Sequence, residues 1–383
     1  LSSDSSSELS LLLSESGRKM LRSPQYYASR RGGFQKREYF LILIVLVVCL
    51  RCFILRPCGG PVALRFGSAL SFQYVPDDTQ TRSDAFGAQG PSLAIVGAPE
   101  KLSPSVFVIA HNTEYIKVHY MNEAEHYNLV KHLILTAASG PYWASSDHPP
   151  MFLDVGSNHG GFSLYATQVD PKLVALAVEP QSSLARLIVL ASRINGVADR
   201  LRVLNCAVHE VSGMKVGMKD TIHDGGIGSI TTDFASADPS NDFVSTLRIE
   251  ELIAKEDRIL IMKVDVESYE VIALRSARSM LSQVSNILVE WGPASRWINE
   301  SRTTVEEGSS LLMSLMDDEG FSIKLLNSLC FYGFDSAIFP ETWLESPVTM
   351  APTMYRPVTK ETFPRFVDQF VRTDKECYLW LHR

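Results

Sequence analysis

An apolar stretch that runs into an acidic, glycine-punctuated turn constrains the fold of this 383-residue chain more than any other feature. Residues 151–161 read MFLDVGSNHGG. Gly156, Gly160 and Gly161 let the backbone pass where a side chain would block a ligand. A helix that begins at this turn has N–H groups without partners in its first turn. The segment therefore predicts the strand, turn and helix of a nucleotide pocket in an α/β fold.

The spacing of the glycines indicates which nucleotide the turn holds. A dinucleotide fingerprint is G-x-G-x-x-G, whereas this chain reads D-x-G-x-x-x-G-G, with Asn158 in place of the second glycine. Asp154 would repel a phosphate but suits the methionine portion of S-adenosylmethionine. A second apolar run ends in Glu179 and Pro180, where doubly wound folds hold ribose hydroxyls. The alternative is an ordinary strand-to-helix turn that needs glycine only for its shape.

A second group of polar residues follows two later apolar runs. Residues 258–270, RILIMKVDVESYE, deliver Lys263 and Asp265 to the end of a predicted strand, and residues 286–291, NILVEW, deliver Glu290. Open α/β sheets bind ligands at the carboxyl ends of their strands, so Asp265 and Glu290 should share one crevice if the strands are neighbours. Ion pairing by Lys263 and helix capping are the structural alternative.

These segments together resemble the FkbM-type S-adenosylmethionine-dependent methyltransferases. The resemblance extends over roughly residues 105–383 and rests on FLDVGSNHGGFSLYA, AVEPQSSLARLI, VLNCAV, GIGSITTD, STLRIEELI, IMKVDVESYEVIALRSA and ILVEW. It implies a doubly wound class I methyltransferase fold, Rossmann-like and mostly parallel, with an antiparallel edge. It also implies methyl transfer to an oxygen of a glycan or small hydroxylated metabolite. The residues expected to bind S-adenosylmethionine are Asp154, Gly156, Asn158, Gly160, Glu179, Pro180, Asn205 and Asp265.

The chain departs from the family pattern at two positions. Ser268 replaces a glycine, and we expect it to cap the following helix. His159 replaces an apolar residue, and we expect it to lie at the surface near the pocket.

The predicted mechanism is in-line transfer of a methyl group to a hydroxyl, aligned first and assisted by a base second. Asp265 or Glu290 is expected to accept the hydroxyl proton while Lys263 keeps the carboxylates ionised. In the alternative, the same two carboxylates hold a divalent ion that acidifies the hydroxyl. The cysteine spacing does not resemble a zinc site, and no metal ligand is predicted.

Two other function classes remain open. A nicotinamide-dependent oxidoreductase is disfavoured by the glycine spacing, and a non-catalytic cofactor-binding membrane protein is disfavoured by the presence of Asp154, Glu179 and Asp265. The net charge of −7 provides no basic surface for nucleic acid, so we expect no nucleic-acid partner.

The N-terminal part of the chain predicts a membrane anchor. Residues 1–38 are expected to be a disordered cytosolic tail, 39–55 a transmembrane signal anchor, 56–100 a stem and 101–383 the methyltransferase domain. Basic residues are more frequent before the span than after it, so we expect the domain to face the lumen of the endoplasmic reticulum or Golgi. A cleaved signal peptide or a buried core helix are the alternatives.

The predicted strands alternate with predicted helices along the domain, and this alternation indicates a parallel sheet with helices on both faces. The family resemblance implies that strands 321–326 and 377–381 form the antiparallel edge. Cys330 and Cys377 would approach each other if these two strands pair. Residues 214–241 predict a mobile loop. A helix is predicted over 113–138, and the histidines in and around it are expected at the surface, with contact to substrate as the alternative; they are His111, His119, His126 and His132. The other predicted strands are 152–155, 173–179, 201–205, 259–264 and 286–290, with helices over 161–168, 182–195, 246–254 and 269–281.

Overall fold

The computed structural model describes residues 92–96, 104–110, 123–140, 148–219, 228–233, 237, 243–326, 335–344 and 353–383. The predicted tail and membrane span lie outside these residues, as does the stem up to residue 91. Within the described ranges, no helix is both long enough and apolar enough to cross a bilayer.

The strands and helices alternate along the central part of the chain. In chain order the strands are β1 (Ser92–Val96), β2 (Val106–Ala110), β3 (Met151–Val155), β4 (Val174–Val178), β5 (Leu201–Leu204), β6 (Ala207–Val208), β7 (Lys215–Lys219), β8 (Ser229–Thr231), β9 (Val244–Leu247), β10 (Ile259–Val264), β11 (Val284–Trp291), β12 (Ser322–Leu326), β13 (Thr342–Leu344), β14 (Thr353–Val358) and β15 (Cys377–His382). The α-helices are α1 (Ala124–Ala138), α2 (Gly161–Val169), α3 (Ser182–Ile194), α4 (Ile249–Leu252), α5 (Glu270–Ser276), α6 (Ala294–Arg296), α7 (Val305–Asp317) and α8 (Phe363–Phe366).

A nine-stranded mixed sheet forms the centre of the domain, in the order β13-β14-β12-β15-β11-β10-β3-β4-β5. The five strands from β11 to β5 are parallel, as predicted. β12 and β15 pair antiparallel, as predicted, but they do not form the edge, because β15 also pairs with β11 and the sheet continues through β14 to β13. Five of the six β15 residues are buried, which suits an interior strand.

Apolar side chains fill both faces of this sheet. On one face Phe152, Ile261 and Leu288 pack with residues of α1, α2 and α3. On the other face their strand neighbours, Leu153 and Met262 among them, pack with residues of α5 and α7. Successive residues of a strand point to opposite faces, so strands that are apolar throughout need cover on both sides. The predicted doubly wound α/β architecture is confirmed.

A second sheet occupies part of the segment predicted as a loop. It has the order β6-β9-β7-β8, and β7 and β8 lie within residues 214–241. The helix predicted over residues 246–254 is also wrong, since the segment begins in β9 and only α4 is helical. Val244 and Thr246 are buried while Ser245 between them is exposed, which is the alternation of a strand. Pairing with β6 and β7 therefore overrides the helical pattern.

The backbone at Ser268 explains why glycine is usual at this position. Ser268 has a φ of +94°, in the left-handed region that favours glycine. The expected cap by its side chain is wrong: Tyr269 is the N-cap residue of α5 and makes no side-chain cap bond. Instead, the backbone N–H of Ser268 donates to Oε1 of Glu270 at 3.0 Å.

Strand pairing begins inside the segment predicted as a stem, where β1 pairs antiparallel with β2. Cys206 is a buried free thiol that belongs to the apolar core. Cys377 is disulfide-bonded, and Cys330, its predicted neighbour, lies outside the described residues.

Candidate functional site

The polar residues predicted from sequence lie at the carboxyl ends of three adjacent strands, β3, β10 and β11. Lys263 stands in register with Asp154 on β3 and with Leu288 on β11. Glu290 lies two residues beyond Leu288, on the same face of the sheet. The prediction that Asp265 and Glu290 converge depends on β10 and β11 being neighbours, and they are.

Gly156 brings the turn after β3 into backbone contact with the end of β10. The N–H of Asp265 donates to the carbonyl of Val155 at 3.0 Å. A Cβ atom at Gly156 would lie 1.8 Å from the carbonyl oxygen of Asp265, so a side chain cannot be accommodated without a backbone shift. Glycine is therefore required here by close approach as well as by its φ of +78°.

Asp154 joins the turn to the helix that follows it. Its Oδ2 accepts hydrogen bonds from Ser163 Oγ at 2.6 Å and from the Ser163 N–H at 3.2 Å, near the start of α2. Its Oδ1 is buried and has no hydrogen-bond partner in the part of the chain that the structure describes. Burial raises the pKa of Asp154 to about 6, although nearby Lys263 opposes this shift.

Glu179 also contacts the turn. Oε2 accepts from the N–H of Asn158 at 2.7 Å and Oε1 accepts from the N–H of Gln181 at 2.8 Å. Burial raises the pKa of Glu179 to about 8 against these two hydrogen bonds. Asn158 has a φ of +52°, and its Oδ1 is a second buried oxygen without a hydrogen-bond partner among the described residues.

Three of the remaining predicted cofactor residues shape the turns around this pocket. Asn205 Nδ2 donates to the carbonyls of Glu179 and Pro180 at 2.9 and 3.0 Å, and its Oδ1 accepts from Ser182 Oγ at 2.8 Å. A Cβ atom at Gly160 would lie 2.8 Å from Ile188. Asn205 thus holds the loop that carries Glu179, and direct cofactor contact by Asn205 or Pro180 stays a prediction.

A hydrogen-bonded group centred on Asp265 lies beside the turn. Asp265 Oδ2 accepts from Lys263 Nζ at 2.8 Å and from the Tyr378 hydroxyl at 2.8 Å. Glu123 Oε1 lies 3.2 Å from the same hydroxyl. Lys263 is only 4% exposed, and its ammonium lies 5.1 Å from the ring centroid of Phe162.

Further carboxylates surround Asp265 on its outer side. Oxygens of Asp265, Glu267 and Glu290 all lie within 4.8 Å of one another. Arg296 forms ion pairs with Glu267 and with Glu376. Burial, followed by the charges of Asp265 and Glu267, raises the pKa of Glu290 well above its usual value.

Sequence reasoning missed several of these residues. Tyr378 comes from β15 and Glu123 immediately precedes α1, so neither lies near the motifs that define the site. Arg296 and Glu376 belong to segments without a recognisable pattern. His159 and His126 are both buried, at 3% exposure each, so the expected surface positions are wrong. His126 packs against the Tyr378 ring at a centroid distance of 4.3 Å.

The comparison with protein families covers the stretch that holds these residues. Residues 154–323 match the family model of the methyltransferase FkbM domain. This stretch is an FkbM methyltransferase domain. The matched stretch starts at Asp154 and contains Glu179, Lys263, Asp265 and Glu290. The prediction of an FkbM-type methyltransferase, with S-adenosylmethionine as its cofactor, is confirmed over residues 154–323.

Solved methyltransferase structures share a distant likeness with the chain that contains the FkbM domain. An S-adenosylmethionine-dependent O-methyltransferase from Thermotoga maritima is 10% identical, with 72% of this chain and 73% of that chain covered and a TM-score of 0.32. The precorrin-6y C5,15-methyltransferase of Geobacter metallireducens is 7% identical, with 68% and 87% covered and a TM-score of 0.31. TrmK of M. capricolum, in complex with S-adenosyl-homocysteine, is 9% identical, with 62% and 73% covered and a TM-score of 0.29.

No curated protein matches the chain.

The buried carboxyl of Glu179 predicts a fall in stability as the pH rises. The pKa of Glu179 is about 8 in the folded chain, against 4.5 as the ordinary value. A raised acid pKa stabilises the folded state below the ordinary pKa, and this stabilisation is lost as the pH rises through the folded pKa. Between about pH 5 and pH 8, Glu179→Gln should therefore make the decline in unfolding free energy shallower, by up to about 1.4 kcal/mol per pH unit. Chemical denaturation across this range measures the slope.

Asp154→Asn provides the matched control. Because the pKa of Asp154 is raised only to about 6, this variant should flatten the slope mainly between roughly pH 4 and pH 6. Above that range its effect should be smaller and come from the lost charge of Asp154, which helps to raise the pKa of Glu179. The readout is the slope, so a uniform loss of stability in either variant does not affect the result. A slope in Glu179→Gln equal to that of the unsubstituted chain would contradict the prediction.

Proposed function

We propose that the FkbM domain transfers the methyl group of S-adenosylmethionine to a hydroxyl group of a glycan or a small hydroxylated metabolite. The observation that carries the proposal is the group formed by Lys263, Asp265 and Tyr378, which lies in backbone contact with the Gly156 turn. This arrangement sets a carboxylate beside the cofactor pocket, where an acceptor hydroxyl would meet the methyl group.

The residues of the pocket fit the cofactor. Asp154 Oδ1 and Asn158 Oδ1 are buried oxygens without hydrogen-bond partners within the described ranges, and such atoms are costly unless a ligand satisfies them. Asp154 suits the positively charged amino group of the methionine portion, and Glu179 suits the ribose hydroxyls. The carboxylate of Asp154 would also repel the pyrophosphate of NAD, which argues against the oxidoreductase alternative.

The reaction needs alignment and a proton acceptor. When bound, S-adenosylmethionine supplies a methyl on a cationic sulfur: the C–S bond breaks with its electron pair left on sulfur, and a C–O bond forms. Asp265 accepts the proton that the hydroxyl loses. Lys263 and Tyr378 both hold Oδ2 of Asp265, so they fix the direction of the carboxylate before substrate arrives. Positioning of this kind contributes more to rate than the base itself.

The first test of the proposal is cofactor affinity. Asp154→Asn and Glu179→Gln should each weaken binding of S-adenosylmethionine by about 1–3 kcal/mol, the cost of leaving a buried hydrogen-bonding group without its partner. Isothermal titration calorimetry on the full chain measures the change, with NAD as a second titrant.

Ser163→Ala is the matched control, because it removes the hydroxyl that donates to Asp154 Oδ2 and leaves Oδ1 unchanged. It should alter the affinity for S-adenosylmethionine little. If both carboxyl variants bind as tightly as the unsubstituted chain, or if only NAD binds, the proposal is wrong.

The second test separates chemistry from binding at Asp265. Asp265→Asn keeps the shape and removes the base, so turnover should fall by about 10²–10⁴ while affinity for S-adenosylmethionine stays nearly constant. Turnover is measured as transfer of labelled methyl to an acceptor identified by tracing the label through cell fractions.

Tyr378→Phe is the comparison variant for Asp265. It removes one hydrogen bond to the carboxylate and keeps the carboxylate itself, so its loss of turnover should be smaller than that of Asp265→Asn. Because Asp265→Asn leaves Lys263 with a weaker partner, the melting temperature of each variant is measured first. Full turnover of a folded Asp265→Asn would remove Asp265 from the reaction.

The domain is also proposed to face the lumen of the secretory pathway, anchored by residues 39–55. Two observations support this: basic residues concentrate before the span, and Cys377 is in a disulfide, which persists in oxidising compartments. Protease added to sealed microsomes should remove the N-terminal tail and spare the domain until detergent is added. Digestion of the domain in intact microsomes would reverse the orientation, and a soluble lumenal product would indicate a cleaved signal peptide.

A further inference from the structure

We propose that Asp265, Glu267 and Glu290 bind one divalent metal cation through their carboxylate oxygens. We call these three residues the carboxylate cluster. Each contributes an oxygen that lies within 4.8 Å of the oxygens of the other two. Two oxygens on opposite sides of one Ca²⁺ are about 4.6–5.2 Å apart, and on opposite sides of Mg²⁺ about 4.0–4.2 Å. The cluster therefore spans one cation with little movement of its side chains.

Glu290 supplies the observation that points to a ligand. It is 7% exposed, and its Oε2 is buried with no hydrogen-bond partner in the described part of the chain. A buried carboxylate oxygen without a partner is costly, and such groups are normally paired or coordinate a metal. The Glu290 carboxylate is part of the same cluster, so a cation bound there would satisfy it.

The other two carboxylates of the cluster are ion-paired and lie nearer to solvent than Glu290. Lys263 and Tyr378 both contact Oδ2 of Asp265, and Arg296 forms an ion pair with Glu267. The side chains of Asp265 and Glu267 are 18% and 24% exposed. An ion can therefore reach the cluster from solvent, with buried Glu290 as its innermost ligand.

The local charges favour a cation. Lys263 and Arg296 form ion pairs with Asp265, Glu267 and Glu376, and Glu290 adds a fourth carboxyl group to the same region. A divalent ion would offset the surplus of negative charge that remains when all four are ionised. Three carboxylate oxygens are hard ligands, which suit Mg²⁺, Mn²⁺ or Ca²⁺ rather than the softer metals.

The chemical role of the ion rests on the proposed function, but its binding does not. A cation beside Asp265 would lower the pKa of an acceptor hydroxyl bound to it, which eases loss of the hydroxyl proton. Binding of the ion is measured without methyl donor or acceptor, so failure of methyl transfer and failure of the metal site are separate results.

The experiment titrates Mn²⁺ into the full chain after chelator treatment, with free Mn²⁺ followed by electron paramagnetic resonance. We expect one bound ion per chain with a dissociation constant below about 1 mM. Glu267→Gln and Glu290→Gln should each weaken binding at least about tenfold, since each removes a charged ligand. Mg²⁺ and Ca²⁺ are then tested as competitors.

Glu300→Gln is the matched control, because it removes one negative charge that pairs with Lys219 and leaves the carboxylate cluster intact. Its Mn²⁺ affinity should equal that of the unsubstituted chain. Circular dichroism establishes that each variant is folded, and a Mn²⁺-induced rise in melting temperature, lost in Glu290→Gln, gives a second readout. Absence of binding below about 1 mM, or binding unchanged in folded Glu267→Gln and Glu290→Gln, would overturn the proposal.

Discussion

The group of acidic residues at the carboxyl ends of β3, β10 and β11 depends on a positive charge buried at the end of β10. Lys263 is 4% exposed, and burial alone would lower its pKa. The carboxylates around it, Asp265 first and Asp154 next, more than offset burial, so the pKa of Lys263 is raised and the ammonium stays charged. Removing one partner of a buried ion pair costs about 3–5 kcal/mol. Lys263 thus stabilises Asp154 on β3 and Asp265 after β10 close to each other, independently of any chemical role that they have.

The local part of this arrangement was predictable from sequence. Gly156 and Asp154 follow an apolar run, and Lys263 with Asp265 follows another, so both groups could be placed at strand ends without knowing the fold. The observed strands β3, β4 and β10 lie within a residue or two of the predicted ranges because each is a buried run between polar breaks. Convergence of Asp265 and Glu290 was predicted only on the condition that their strands are neighbours, and the structure supplies that condition.

The contacts of the site that come from other parts of the chain depend on pairing between distant segments, and the local sequence pattern does not determine such pairing. Tyr378 contacts Asp265 from 113 positions away, and only the insertion of β15 between β11 and β12 brings it there. The same limit explains the edge-strand error and the helix predicted where β9 lies. The prediction that Ser268 caps a helix was wrong for a different reason. The backbone at this position is left-handed, and the capping preference of serine gives no indication of that conformation.

Asp265 has two proposed roles, as a base and as a metal ligand. As a base it must receive a proton, whereas as a metal ligand it is occupied by a cation and the metal itself acidifies the hydroxyl. Both roles require the same fixed carboxylate, held through Oδ2 by Lys263 and Tyr378. Glu290 distinguishes the two, because a base mechanism has no need of a second carboxyl with an unpaired buried oxygen, while a metal site does. Both mechanisms therefore need the same orientation of Asp265. The buried Oε2 of Glu290, which has no hydrogen-bond partner among the described residues, favours the mechanism that uses a cation.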